Sequence, residues 1–183
     1  MQGETRITSP GREALETARL RLEPVGPAHA EGIHEAVVSS RRELLPWMPW
    51  ARDPKLDRGI EMSRSDRVFH FALVEKESGL VLGIAGLNRE GDDAAELHYW
   101  IRTDHAGRGL TTEACRALIE FARRELTLER LTLWAGRDNV ASRRVAEKLG
   151  FVHVGPLSWR PEGGFGDFPA ESYELRLRSG PPG

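Results

Sequence analysis

The chain has a single cysteine, Cys115, among its 183 residues. An internal disulfide is therefore impossible, and one lone thiol fits a reducing compartment. Long hydrophobic runs are also missing. Nothing approaches the roughly 18 consecutive apolar residues that a membrane helix needs, and the N-terminal residues do not read as a signal peptide. There is no excess of basic charge: 26 Lys and Arg stand against 28 Asp and Glu, a net −2, which argues against a nucleic-acid partner. The six histidines show no metal-ligand spacing and have no cysteine partner, so no metal site is expected. The expected location is the cytoplasm.

What is present is a chain of one-domain length, with 39% hydrophobic residues, able to bury roughly two thirds of its unfolded surface. Residues 1–16 are polar and aperiodic and read as a flexible leader; 17–178 read as the folded domain, and 179–183 as a flexible tail. Arg19 to Glu23 alternates as a strand. Pro27 to Leu45 reads as one or two helices with Ile33, Ala36, Val37 and Leu44 on the apolar side. A rigid aromatic loop, Leu45 to Ala51, follows, and Asp57 to Asp66 reads as a short helix. Val68 to Glu75 and Leu80 to Asn88 read as strands joined by a turn at Lys76 to Gly79. Further strands are expected at Ala94 to Arg102, Arg130 to Ala135, Val152 to Leu157 and Ser172 to Arg178. Strands with interspersed helices imply a mixed α/β sheet.

Between the strand at Ala94 and an amphipathic run from Glu113 to Arg124 lies His105-Ala-Gly-Arg-Gly-Leu-Thr-Thr. Gly107 and Gly109 allow a close backbone approach, and the following helix presents unpaired N–H groups and a positive dipole end. Such a turn suits a phosphate. It is not a nucleotide P-loop, because the Lys is missing, nor a dinucleotide fingerprint, because Thr112 stands at the third glycine position. Downstream, Asn139 is a good N-cap, Ala141, Val145 and Leu149 share one helical face, and Gly150 is a helix stop.

Two motifs carry a resemblance. Asp104-His-Ala-Gly107-Arg-Gly109 resembles the acyl-coenzyme A loop [QR]-x-x-G-x-[GA] of the GNAT N-acetyltransferases, with Asp104 in place of the usual Gln or Arg. Asn139-Val-Ala-Ser142-Arg-Arg-Val-Ala-Glu-Lys148-Leu-Gly150-Phe151 resembles the second half of the same coenzyme site. Tyr99-Trp100-Ile101, Thr112-Glu113-Ala114 and Trp47-Met-Pro-Trp50 are similar to the RimJ/RimL-type branch, the ribosomal-protein N-terminal acetyltransferases and their relatives. The resemblance spans Thr17 to Leu177. It implies a single GNAT domain with a mixed, mostly antiparallel sheet of six or seven strands. That sheet would splay between its fourth and fifth strands, here Ala94–Arg102 and Arg130–Ala135.

It also implies acetyl-coenzyme A as cofactor, an amine acceptor such as a protein N-terminus, and a possible homodimer. Backbone groups of Tyr99, Trp100, Ile101, Arg102 and Thr103 would pair with the pantetheine. An N–H near His98 or Tyr99 would hold the thioester oxygen. The amides of His105, Gly107, Arg108, Gly109 and Leu110 would bind the pyrophosphate. Thr111 and Thr112 would add contacts or only cap the helix; Asn139 would touch the pantetheine; Lys148 or Arg143 would reach the nucleotide or only face solvent. Ser142 matches the position of a proton donor to the thiolate, or simply serves the helix start. Glu96 and Glu162 are the candidate bases. Trp47, Met48, Trp50 and Trp100 would bind the acceptor or form a lid packed on the core, and Trp159, Phe165 and Phe168 could face the same cleft. Acetylation of a small amine (an antibiotic, a polyamine or an amino acid) and a non-catalytic coenzyme A-binding domain are the alternative readings. Buried Cys115 reads as a small hydrophobe, not a nucleophile.

Overall fold

Alternation and periodicity lay out the elements. The computed structural model describes residues 13–55, 60–61, 65–157 and 169–177. Its strands are β1 (Leu15–Glu16), β2 (Leu20–Pro24), β3 (Val68–Glu75), β4 (Val81–Glu90), β5 (Ala94–Ile101), β6 (Arg130–Gly136), β7 (Val152–Pro156) and β8 (Ala170–Arg176). The helices are α1 (Ala30–Ser39), α2 (Arg41–Leu44), α3 (Leu110–Glu125) and α4 (Val140–Lys148). All eight strands form one sheet in the order β1-β2-β3-β4-β5-β6-β8-β7. Every neighbouring pair is antiparallel except β5 and β6. Leu15–Glu16, at the end of the stretch read as a leader, pair with Leu22 and Arg21, so the sheet has eight strands and the parallel junction falls between the fifth and sixth.

The period-2 pattern sorts the two faces. Phe69, Phe71, Leu73, Ala85, Leu87, Ala95, Leu97, Leu131 and Leu133 join Ala114, Cys115, Leu118, Phe121 and Ala122 of α3 in the main core. Helix α3 fits because its apolar positions recur at three and four residues while Arg116, Glu120, Arg123 and Arg124 stay exposed. Across the sheet, Ile33, Ala36 and Val37 of α1 pack with Leu44, Ala51 and Trp100 in a second cluster.

Two details of α4 differ in character. Asn139 caps it as expected, its Oδ1 accepting from the Ser142 N–H at 3.1 Å, and Gly150 ends it at φ 83°. The face is rotated by one residue from the expected one: Ala146 is fully buried and Ala141 is exposed. A helix pressed onto β6 at this angle takes its contact stripe from packing, not from the most apolar line of its own sequence.

On the α1 face, Gly86 of β4 lies between His70 and His98 in register. A Cβ there would stand 2.6 Å from the Phe69 carbonyl oxygen and 2.8 Å from His70 Cδ2. Gly86→Ala is expected to lower folding stability by about 1–3 kcal/mol, read as a reduced midpoint in urea with little change in slope.

Candidate active site

Strands β5 and β6 share three register pairs, Ala94↔Arg130, Ala95↔Leu131 and Glu96↔Thr132, and then part. Beyond Glu96 the β6-facing backbone of β5 has lost its partner strand. A cavity of about 60 Å³ opens at this point. Its lining includes Glu96, His98 and Tyr99 of β5, Trp134 of β6, and Asn139 and Ser142 at the start of α4, with Trp47 and Met48 from the aromatic loop. Residues from both faces of β5 meet here because the gap passes through the sheet.

Among the described residues Glu96 is the one carboxylate in this lining, and only 9% of its surface is exposed. Burial, reinforced by Glu90, pushes its pKa up to about 7, against the neighbouring Trp134 and Asn88 side chains, which favour the charged form. His98 and His70 are held neutral mainly by burial. On the opposite side of β5, the Tyr99 hydroxyl lies 2.9 Å from Ser142 Oγ and donates to, or accepts from, it. Burial raises the Tyr99 pKa well above its ordinary value, so this phenol stays protonated. Ser142 is thus more than a residue of the first helical turn: its hydroxyl is fixed within the cavity by a partner that periodicity alone could not reveal.

The glycine loop is built as its motif implies. Gly107 and Gly109 have φ of 76° and 80°, and a Cβ at Gly107 would meet nothing within 4 Å. Glu113 N–H makes the first helical bond, to Gly109, so the N–H groups of Leu110, Thr111 and Thr112 have no acceptor within α3. No side chain caps this helix. The expected donor set changes upstream, because backbone turns consume donors there. His105 N–H is bonded to the Arg102 carbonyl and Ala106 N–H to that of Thr103. Arg102 N–H bonds Leu82 O at 2.7 Å, and Thr103 N–H bonds the buried Ser40 hydroxyl at 2.9 Å. The open amides are therefore at the glycines and the first turn of α3. Asp104, which replaces the usual Gln or Arg, is gripped by Arg102 at 2.8 and 2.9 Å and by His105 at 2.8 Å, which holds its carboxyl well below the usual range.

Sequence reading missed the support beneath this loop. Arg19 donates through Nη1 to the Arg108 carbonyl at 2.9 Å and through Nε to Glu113 at 2.8 Å. Thr17 Oγ1 donates to the same carboxylate at 2.7 Å. Arg19 belongs to an alternating strand pattern, and nothing local marks it as reaching a loop some 90 residues on.

Other expected residues fall elsewhere. Trp50 and Trp100 meet edge-on, centroids 5.8 Å apart, inside the α1 cluster, so they brace the aromatic loop while Trp47 and Met48 line the cavity. Lys148 is exposed in the last turn of α4, about 13 Å along the helix from Asn139. Arg143 is tied to Tyr173 OH at 3.0 Å and the Arg137 carbonyl at 3.2 Å. Cys115 is fully buried and its thiol is pushed up by burial, as for a core residue. Glu162, Trp159, Phe165 and Phe168 lie outside the described residues.

A family model described as an acetyltransferase (GNAT) domain matches residues 19–152. The chain belongs to the GNAT acetyltransferases. It is an N-acetyltransferase, and its cofactor is acetyl-coenzyme A. YdaF of Bacillus subtilis (strain 168), provisionally named a ribosomal N-acetyltransferase, is 33% identical over 138 residues, 70% of this chain and 75% of its own. The ribosomal-protein-serine acetyltransferase of Escherichia coli (strain K12) is 25% identical over 147 residues, 75% of this chain and 82% of its own. The solved structure of RimL, a ribosomal L7/L12 alpha-N-protein acetyltransferase in complex with coenzyme A, shares the fold with a TM-score of 0.78 at 17% identity, covering 90% of this chain and 98% of that one. Among the described residues of the GNAT chain, no helix is long and apolar enough to cross a membrane.

The raised pKa of Glu96 has a cost that can be measured. Above the folded-state value near 7 the buried carboxylate is charged; in the unfolded chain it ionises already near 4.5. Between these values the folded state binds more protons, so Glu96 lowers stability as pH rises from 4.5 through 7. Glu96→Gln is expected to stabilise the fold at pH 8 by on the order of 3 kcal/mol and to have little effect at pH 4.5, read from denaturation midpoints across that range.

Proposed function

We propose that this enzyme acetylates the α-amino group of a protein or peptide, by direct attack of the amine in a ternary complex. The observation that carries the reading is Glu96: a buried carboxylate in the cavity at the strand split, with a proton affinity near neutrality. An α-amine of pKa about 7.7–8.0 needs only about 1–1.4 kcal/mol to become neutral at pH 7; a lysine of pKa about 10.4 needs about 4.6. A carboxylate titrating near 7 is half ionised there and is matched to the first task. Ribosomal-protein acetyltransferases among the similar proteins favour the same acceptor class.

The residues present fit the coenzyme. The Gly107–Gly109 turn leaves room for close approach, and the first turn of α3 supplies amides and a dipole for an anion. When bound, acetyl-coenzyme A supplies an activated thioester. The unpaired edge of β5 beyond Glu96 would hold the pantetheine arm, with a backbone N–H near His98 or Tyr99 facing the thioester oxygen. Glu96 accepts the amine proton. Ser142, held by Tyr99, donates toward the leaving sulfur. Trp47 and Met48 give the acceptor an apolar wall.

Two outcomes are expected. In a thiol-release screen with acetyl-coenzyme A, peptides with free N-termini turn over, and mass spectrometry places the acetyl group on the terminal nitrogen. Turnover confined to aminoglycosides, polyamines or free amino acids would move the assignment to a small-amine acetyltransferase. Arg19→Ala, by freeing the Arg108 carbonyl and Glu113, weakens acetyl-coenzyme A binding by roughly tenfold, or about 1.4 kcal/mol, in calorimetry. It leaves kcat at saturating coenzyme within a small factor, since Arg19 lies outside the cavity lining.

A further inference from the structure

The α1 face of the sheet surrounds Glu96 with polar side chains to which the acetyl transfer above gives no role. In one cross-strand row stand Val68, Asn88, Glu96 and Thr132; in the next stand His70, Gly86 and His98. His70 Nε2 lies 3.2 Å from Asn88 Oδ1. Since the amide oxygen only accepts, His70 must donate here, which fixes its tautomer with the proton on Nε2. The Asn88 oxygen thus faces His70, and its NH₂ is the end left for Glu96, the residue directly across from it in register, whose charged form it favours. The His70 and His98 rings meet edge-on at 4.7 Å above Gly86, whose lack of a Cβ makes that approach possible. His98 Nδ1 is buried without a well-formed hydrogen-bond partner.

We propose that Asn88 and His70 are positioning residues for the acetyl-transfer base: His70 locks the Asn88 amide, and Asn88 in turn holds the Glu96 carboxylate toward the cavity. The inference rests on the reading of Glu96 as the base. An amide cannot relay a proton in this arrangement, so the pair orients and does not conduct. A free asparagine could turn its oxygen to a protonated Glu96 or its NH₂ to an ionised one. By occupying the oxygen, His70 leaves the NH₂ for the ionised form. Among the described residues, the other groups near Glu96 are these. Glu90, further along β4, opposes its ionisation and is held by the Thr132 hydroxyl at 2.7 Å. Trp134 of β6 lies beside Glu96 in the cavity lining and favours its charged form. His98 of β5 is neutral, and the loop residues Trp47 and Met48 bring no charge.

The test is a ¹³C carboxyl titration of Glu96 in the full chain by NMR, the resonance identified by its loss in Glu96→Gln. It needs no acceptor. Asn88→Ala is expected to raise the Glu96 midpoint by about one pH unit, the size of one hydrogen bond to a charged group. His70→Leu raises it by a smaller amount. His70→Gln, whose amide N–H can still donate to Asn88 Oδ1, brings it back toward the wild-type value. If Asn88→Ala does not fold, the Leu and Gln pair at position 70 tests the same contact from its other end. A folded Asn88→Ala or His70→Leu whose Glu96 midpoint matches the wild type overturns the proposal and leaves the base reading untouched. Retained wild-type turnover in Glu96→Gln overturns the base reading, and the positioning role with it.

Discussion

The site depends on an incomplete pairing. β5 and β6 run parallel and in register for three residue pairs, and then β6 gives its edge to β8 alone. Backbone N–H and C=O groups at the centre of a sheet seldom stay unpaired. Here the edge of β5 beyond Glu96 is left open, and the first turn of α4 stands at the gap. Asn139 caps that turn, and the Tyr99–Ser142 contact ties it to β5 on the main-core side. Closing the ladder would remove the cavity. Opening it further would detach β6 from the core that Leu131 and Leu133 anchor.

Because the gap pierces the sheet, side chains from both faces of one strand reach it. Odd-numbered residues of β5 face α3 and even-numbered ones face α1. In an ordinary sheet these two sets never meet. At the split, Tyr99 and Glu96 line one cavity. Glu96 and Tyr99, the residue that holds the Ser142 hydroxyl, therefore sit on opposite faces of the same strand, three residues apart, with the cavity between them. Glycine at position 86 follows from the same crowding, since two imidazoles must share the space over one β4 residue.

Local rules made most elements legible. β3 has the bounds its alternation implies, and the α3 stripe follows its 3.6-residue period. The glycine loop announced its backbone conformation, because positive φ at Gly107 and Gly109 is a one-residue property. What could not be read was set by distant partners. The Arg19–Glu113 contact joins residues 94 apart in sequence. The Ser40 hydroxyl that occupies the Thr103 N–H comes from the end of α1. Trp50 and Trp100 share the residue type of Trp47 but belong to the α1 cluster, and residue type alone does not separate a wall of the cavity from its scaffold. The rotation of α4 by one position has the same origin, since a neighbour's surface chose the buried stripe.

In the proposed role of base, Glu96 would offset the instability its burial brings. A carboxylate in water titrates near 4.3 and is a weak base toward an ammonium of pKa about 8. Burial strengthens it as a base, but a carboxyl with too high a proton affinity stays protonated at neutral pH and is inert. Two opposing influences set the balance: enclosure and Glu90 push upward, and the neighbouring Trp134 and Asn88 side chains pull back. The result near 7 lies within about one unit of an α-amine and more than three below a lysine. If this proton match decides the acceptor, then specificity for N-termini resides as much in the sheet beneath Glu96 as in the aromatic loop above it. A mutation that changed Trp134 or Asn88 would then change which amines react before it changed which amines bind.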